Sequence, residues 1–306
     1  MSVANPSTPS DEKPRPFYGL RPSAWAIYRS TWFGVWAIDR VAFRTRTQGL
    51  ETMPKAGPVL LLSNHVGLLD PFQVALHMYR PSRFMAATSV LKIPVLGKWL
   101  GALGAFPKMK YVKDRDSMRM LAEHYENGHV VTLFPEGVRT WTGEPMPVLP
   151  GIGRLIKRLN ARVVFARIKS GYLLAPRWAK YPRYLPLDIE YIGPVEYPEH
   201  VTAEEITADV REKLSVQPAR DKSRFAFGFR LAEGLPELLW ACPHCKALDA
   251  LVVPRSDRDT VSCQACRSTW RIDLDAVLNG IDGAPTMSIQ EAHGALRAHF
   301  GRPAIL

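Results

Sequence analysis

The sequence predicts an α/β fold, a mostly parallel sheet flanked by helices, followed by a small cysteine-bearing module. Three observations predict it. Short apolar runs of strand length alternate with helix-length amphipathic stretches between residues 59 and 205. The run 59–64 is almost wholly apolar, as a strand covered on both faces must be. All four cysteines stand in two Cys-x-x-Cys pairs near the C-terminus. With 306 residues, 46% of them hydrophobic, the chain can bury one sizeable core and carry a small appendage.

In chain order, residues 1–16 are polar and rich in Pro and Ser, and read as a disordered leader without the apolar run of a signal peptide. Residues 17–45 read as a helical segment. Trp25, Tyr28, Trp32, Val35, Trp36 and Phe43 share one side of it, with Arg29, Asp39 and Arg40 interrupting. Aromatic rings beside arginines suit the headgroup layer of a membrane; the alternative is a core helix with its rings turned inward. No run of eighteen apolar residues is present, which argues against a conventional spanning helix.

The run 59–64 (VLLLSN) predicts a buried strand, and Asp70-Pro71 a helix start with Asp70 as N-cap. Strands follow at 83–88, 129–134, 162–168 and 187–193. Helices are expected at 115–128, closed by Gly128, at about 152–160, and from a Thr202–Glu205 capping box. The domain of interest thus covers 17–230, followed by a cysteine module over 236–273 and a helical tail over 274–306.

The net charge of +11, from 40 Lys and Arg against 29 Asp and Glu, implies an anionic partner. Nine of the basic residues, and no acidic one, fall within 151–183. They could rim a site for anionic lipid, dock an acidic carrier protein, or form a solvated face. Nucleic acid is disfavoured as a partner, because the basic residues lie mainly outside the cysteine module and no recognised nucleic-acid motif is present.

In NHVGLLD, His65 and Asp70 are five positions apart. On a regular helix that spacing would splay them about 140°, so they meet only if the chain turns, as Gly67 permits. A carboxylate on one imidazole nitrogen fixes the tautomer and frees the other to take a proton from a hydroxyl. Spacing alone proves little, since His244 and Asp249 share it. About seventy residues on, FPEGVRT (134–140) combines Pro135 and Gly137 in a sharp turn whose backbone amides could face an anion, with Arg139 as a planar fork for phosphate. Between them GAFPKMK (104–110) ends in Lys110, a second candidate phosphate ligand.

NHVGLLD, GAFPKMK and FPEGVRT resemble the first three blocks of the glycerolipid acyltransferase superfamily, which includes the lysophosphatidic acid acyltransferases. Asn64, His65 and Asp70 match the first block, and Phe134, Pro135, Glu136, Gly137 and Arg139 the third. The similarity spans roughly 17–230. Two departures stand out: Lys110 replaces the usual Arg of the second block, and Phe165 a usual Pro of the fourth. The resemblance implies acyl transfer from acyl-CoA or acyl carrier protein to a lysophospholipid hydroxyl, 1-acylglycerol-3-phosphate foremost. His65 and Asp70 would be catalytic, and Asn64, Lys110, Glu136, Gly137 and Arg139 would bind substrate. With a polar leader, no long apolar run and a net charge of +11, the chain is expected to be a peripheral or monotopic protein on the cytoplasmic face of an anionic membrane.

Cys242, Cys245, Cys263 and Cys266 form two knuckles separated by seventeen residues, the spacing of a tetrahedral zinc ribbon. A closed four-thiolate site keeps no open position for substrate, so a bound Zn2+ would be structural. His244 lies inside the first knuckle and is expected to be a spectator.

Overall fold

A computed structural model describes residues 22–109 and 114–301. The predicted leader and Lys110 lie outside the described residues.

Chain order is α1 (Pro22–Ala42), β1 (Arg46–Gln48), β2 (Val59–Ser63), α2 (Asp70–Leu76), β3 (Ser82–Ala87), α3 (Thr88–Leu91), α4 (Leu96–Ala102), β4 (Ala105–Lys108), α5 (Arg115–Glu126), β5 (Val130–Leu133), α6 (Ile152–Leu159), β6 (Val163–Ile168), α7 (Gly171–Leu174), β7 (Asp188–Val195) and α8 (Ala203–Leu214). Seven strands form one sheet in the order β1-β7-β6-β2-β5-β3-β4. All neighbours are parallel except β6 and β7. The strand faces split cleanly. Val59 and Leu61 of β2 enter one core with Val164 and Ala166 of β6, while Leu60 and Leu62 enter a second with Val163 and Phe165. Helices α5, α6 and α8 close the second face. Apolar side chains on both faces explain the continuous apolar strands in the sequence.

Local chemistry sets the helix ends. Thr202 and Glu205 form the capping box the sequence predicts. Asp114 caps α5 by accepting from Ser117 N, and Gly128 follows that helix at φ +81°, a conformation that favours glycine. Asp70 is not an N-cap. It lies one residue inside α2, and its carboxylate makes no capping bond.

Helix α1 packs on α2 and α4, with Trp99 Nε1 donating to Thr31 Oγ1 at 3.0 Å. The predicted aromatic stripe occupies this inner side: Trp25, Tyr28, Trp32, Val35 and Trp36 are all half-buried. The apolar residues that face out are instead Ile27, Phe33, Ile38 and Val41. No helix among the described residues is long and apolar enough to cross a membrane.

After α8 come α9 (Leu235–Leu238), β8 (Leu251–Val252), β9 (Thr260–Cys263), β10 (Thr269–Ile272), β11 (Val277–Ile281), β12 (Met287–Ser288) and α10 (Ile289–Phe300). Strands β8 to β12 make an antiparallel meander. The tail expected to be helical from 274 therefore first supplies two strands to the cysteine module, and only 289–300 is helix. Nor is the module packed separately from the large sheet. Trp178 and Leu185 share one continuous apolar core with Leu235, Cys242, Trp270 and Leu296.

The basic run 151–183 is mostly partnered. Arg162 pairs with Glu196, Arg167 and Lys169 pair with Glu190, and Lys180 pairs with Glu237. Lys157 caps the carbonyls of Glu199 and Val201, and Arg183 is buried. The face is less cationic than its sequence suggests, which weakens its reading as a lipid rim.

Candidate active site

The candidate site lies where β2 and β5 end, the edge at which parallel α/β sheets place their ligands. Ser63 closes β2, and residues 64–69 turn over the sheet before α2 begins at Asp70. His65 Nδ1 and Asp70 Oδ2 are 2.8 Å apart. The same Oδ2 accepts from the amides of Val66 at 2.7 Å and Gly67 at 2.9 Å. Asp70 is thus the hub that folds its own loop as well as the partner of the imidazole. Its carboxylate is fully buried, and Oδ1 has no hydrogen-bond partner. Gly67 serves by lacking a side chain: a Cβ there would sit 3.0 Å from Asp70 Oδ1.

The His65 side chain keeps 21% exposure and stacks on Phe134 at 4.4 Å between ring centroids. With Nδ1 held by Asp70, Nε2 is the nitrogen available to a substrate proton. The loop after β5 is tied to the same place, since Thr140 N donates to His65 O at 3.0 Å. Sequence blocks seventy residues apart thus meet at one backbone position.

Several site residues take scaffold roles. Asn64 is not free to bind substrate; its amide donates to Ile168 O at 3.0 Å and accepts from Ile168 N at 2.8 Å. It locks the end of β2 to the end of β6. Gly137 holds φ +73°, a conformation that favours glycine. Its amide does not face an anion but turns back to Phe134 O at 3.0 Å. Glu136 is buried beneath the dyad rather than paired with Arg139. Burial pushes its carboxyl up to about 8; the charge of Asp70 adds to that rise, against donation from the backbones of His65 and Met146. Near neutral pH Glu136 is therefore largely protonated and adds little repulsion to Asp70.

Arg139 is half-buried and forms no ion pair among the described residues. Its loop is braced from behind, since Arg177 lies 3.8 Å over the Trp141 ring and donates to Arg139 O. Tyr172 Oη reaches Trp141 O and accepts from Trp178 Nε1 at 3.1 Å. This brace was missed in the sequence, where Trp141, Tyr172 and Trp178 carry no shared motif. At the end of β4, the described cation is Lys108, 4.0 Å from the Asp114 carboxylate.

Outside this site, the four predicted thiolates converge. All Sγ atoms lie within 4.8 Å of one another, with Cys242–Cys266 at 3.8 Å and Cys245–Cys263 at 3.7 Å. Four sulfurs about 2.3 Å from a tetrahedral zinc would be about 3.8 Å apart, so the donor set fits that ion. His244 stands aside, with Nδ1 on Ser268 Oγ at 2.8 Å.

Residues 44–169 match the Acyltransferase family model. A chloroplastic 1-acyl-sn-glycerol-3-phosphate acyltransferase of Brassica napus is 29% identical over 125 residues, 40% of this chain and 36% of that one. One of the same name from Chlamydomonas reinhardtii is 30% identical over 112 residues, 35% of this chain and 33% of that one. The chain thus matches about a third of the length of these curated relatives. The crystal structure of a 1-acyl-sn-glycerophosphate acyltransferase, PlsC, from Thermotoga maritima aligns with a TM-score of 0.53 at 21% identity. It covers 64% of this chain and 81% of that one. At that identity the likeness is one of fold.

Proposed function

From the Acyltransferase-family domain that the chain carries over residues 44–169, we propose that it transfers a fatty acyl group from acyl-CoA or acyl carrier protein to the free hydroxyl of a lysophospholipid, with 1-acylglycerol-3-phosphate as the acceptor. The observation that carries this reading is the His65–Asp70 pair held at 2.8 Å at the end of β2, with His65 O tied to the loop of Glu136 and Arg139.

His65 Nε2 takes the proton of the acceptor hydroxyl as its oxygen attacks the thioester carbonyl. Asp70 holds the ring in the tautomer that leaves Nε2 free, and stabilises the imidazolium that forms. Collapse of the tetrahedral intermediate breaks the carbon–sulfur bond, and the imidazolium returns its proton to the departing thiolate. No enzyme-bound acyl group is required, because the acceptor supplies the nucleophile. Arg139 offers its planar fork to the acceptor phosphate, and Lys110 a second charge.

Cys242, Cys245, Cys263 and Cys266 hold a structural zinc in this reading, and the protein works peripherally on the cytoplasmic face of an anionic membrane. The test is a panel of lysophospholipid acceptors with acyl-CoA and acyl carrier protein donors, with products read by mass spectrometry. Formation of phosphatidate from 1-acylglycerol-3-phosphate supports the reading; no acylated product with any acceptor contradicts it.

A further inference from the structure

The segment Arg224–Arg230 reads R-F-A-F-G-F-R and inverts the usual order of inside and outside. Its centre pairs antiparallel with Tyr184, with Phe227 N to Tyr184 O at 2.9 Å and Tyr184 N to Phe227 O at 2.7 Å. In extended chain, alternate residues face opposite ways. Here the small ones face in. Ala226 packs on the core, and a Cβ on Gly228 would lie 2.7 Å from Leu231 and 2.9 Å from Leu274. The three phenylalanines face out, with Phe225 68% exposed, Phe227 53% and Phe229 47%. A chain with only water to face would place them the other way round; a row of exposed rings marks a contact surface.

Tyr181 and Tyr184 extend the row, with ring centroids 5.3 Å from Phe229 and 6.0 Å from Phe225. Arg230, paired with Glu233 at 2.8 Å, lies over Tyr181 at 4.4 Å, and Arg44, which forms no ion pair among the described residues, lies over Tyr184 at 4.5 Å, so a guanidinium stands near each end. The surface continues into α1, where Tyr184 Oη donates to Val41 O at 2.7 Å beside the exposed Val41 side chain. It also lies at the dyad's end of the sheet. Asn64 is bonded to Ile168, which pairs with Ile189. The neighbouring Asp188 accepts from Arg224 at 3.1 Å.

We infer that this aromatic ladder is a membrane-docking site, which seats the protein on an anionic bilayer with the His65 end of the sheet turned toward the lipid. Rings flanked by guanidinium groups suit the headgroup layer, where the ring enters the acyl boundary and the cation meets phosphate. Beside the ladder Arg40 and Arg44 form no ion pair among the described residues, whereas Arg220, Lys222, Arg224 and Arg230 are each paired with a carboxylate, and the chain carries a net charge of +11. That charge complementarity selects an anionic bilayer over an apolar protein partner. The orientation rests on the acyl-transfer reading; the docking does not.

The test compares wild type with the triple variant Phe225→Ser, Phe227→Ser, Phe229→Ser in co-sedimentation with phosphatidylglycerol–phosphatidylcholine vesicles. The expected result is partitioning weakened ~30-fold or more, with unchanged transfer to a water-soluble short-chain acceptor. Should the variant fail to fold, hydrogen exchange on wild type decides: vesicles should slow the amides of 224–230. Wild type that does not sediment, unchanged partitioning in the folded variant, or unaltered exchange would each overturn the inference. So would partitioning that the variant retains while sedimentation velocity shows it has lost a wild-type dimer. Wild type that docks but transfers no acyl group to any acceptor would count against the activity and leave the docking in place.

Discussion

Residues 65–70 and 244–249 pose the same question to sequence and receive opposite answers from structure. Each has a histidine five positions before an aspartate. In the first, the turn wraps on Asp70, whose Oδ2 gathers His65 Nδ1 and two backbone amides in a fully buried setting. In the second, both side chains are exposed, and His244 turns to Ser268 instead. Asp249 sits at φ +50° in the turn after the knuckle, its amide on Trp240 O. The difference teaches that spacing makes a pair only when the intervening amides have nowhere better to go. After a strand end they converge on the carboxylate; beside two cysteine knuckles the chain geometry serves the sulfurs.

The strongest way to break the comparison is to exchange carboxylate for amide on each side. Asp70→Asn should lower kcat by ~10² to 10⁴, the usual worth of general-base assistance, because the ring loses its fixed tautomer and stabilised imidazolium. Asp249→Asn should leave kcat unchanged, since Asn tolerates left-handed backbone as well as Asp does. Equal effects in steady-state assays would remove the distinction.

Next comes the metal side. One zinc per chain is expected by elemental analysis, and Cys242→Ser should abolish it. Stability should fall by ~3 kcal/mol or more, because binding to such a site is coupled to folding, and limited proteolysis should open the segment 236–273. His244→Ala should keep the zinc. Because Cys242 shares a core with Trp178, and Trp178 reaches Trp141 through Tyr172, zinc loss should also reduce transfer. Full activity in a metal-free protein would show the module to be uncoupled from the site.

A further effect, on stability rather than turnover, concerns the acid beneath the dyad. The Glu136 carboxyl stands at about 8 when folded, against a reference of 4.5. The folded state therefore favours its proton, and stability falls as pH rises from about 4.5 to about 8, then levels. Glu136→Gln lacks this loss. Its advantage in the free energy of urea unfolding should grow across that window to about 5 kcal/mol. An advantage independent of pH would contradict a buried, protonated Glu136. Smallest of all, Gly67→Ala puts a Cβ 3.0 Å from Asp70 Oδ1. It should cost kcat about threefold to tenfold through a displaced carboxylate, with KM unchanged.

Much of this was legible in sequence, for reasons that particular residues make plain. Strands such as Leu60–Leu62 are buried on both faces, so composition alone marks them. Caps such as Thr202–Glu205 and the four cysteines encode geometry locally. What was not legible depends on partners far along the chain. The stripe of α1 reads as an amphipathic face, but which side is covered depends on α2 and α4. Strand β11 contains Gly280, where a Cβ would meet Ala284 O at 1.7 Å; that requirement belongs to the following turn, and the run does not look like a strand. Asn64 reads as a substrate ligand until Ile168 is placed beside it. The Phe225–Phe229 alternation is equally silent, because period two does not say which face is out.

The central claim is that His65, and not its counterpart in the cysteine module, takes the proton of the acceptor hydroxyl. The most direct measurement is the rate of phosphatidate formation from 1-acylglycerol-3-phosphate and acyl-CoA by wild type, His65→Ala and His244→Ala, each checked for fold and zinc content. The account predicts a loss of ~10² or more for His65→Ala and a wild-type rate for His244→Ala. A folded His65→Ala protein that turns over at the wild-type rate would contradict it.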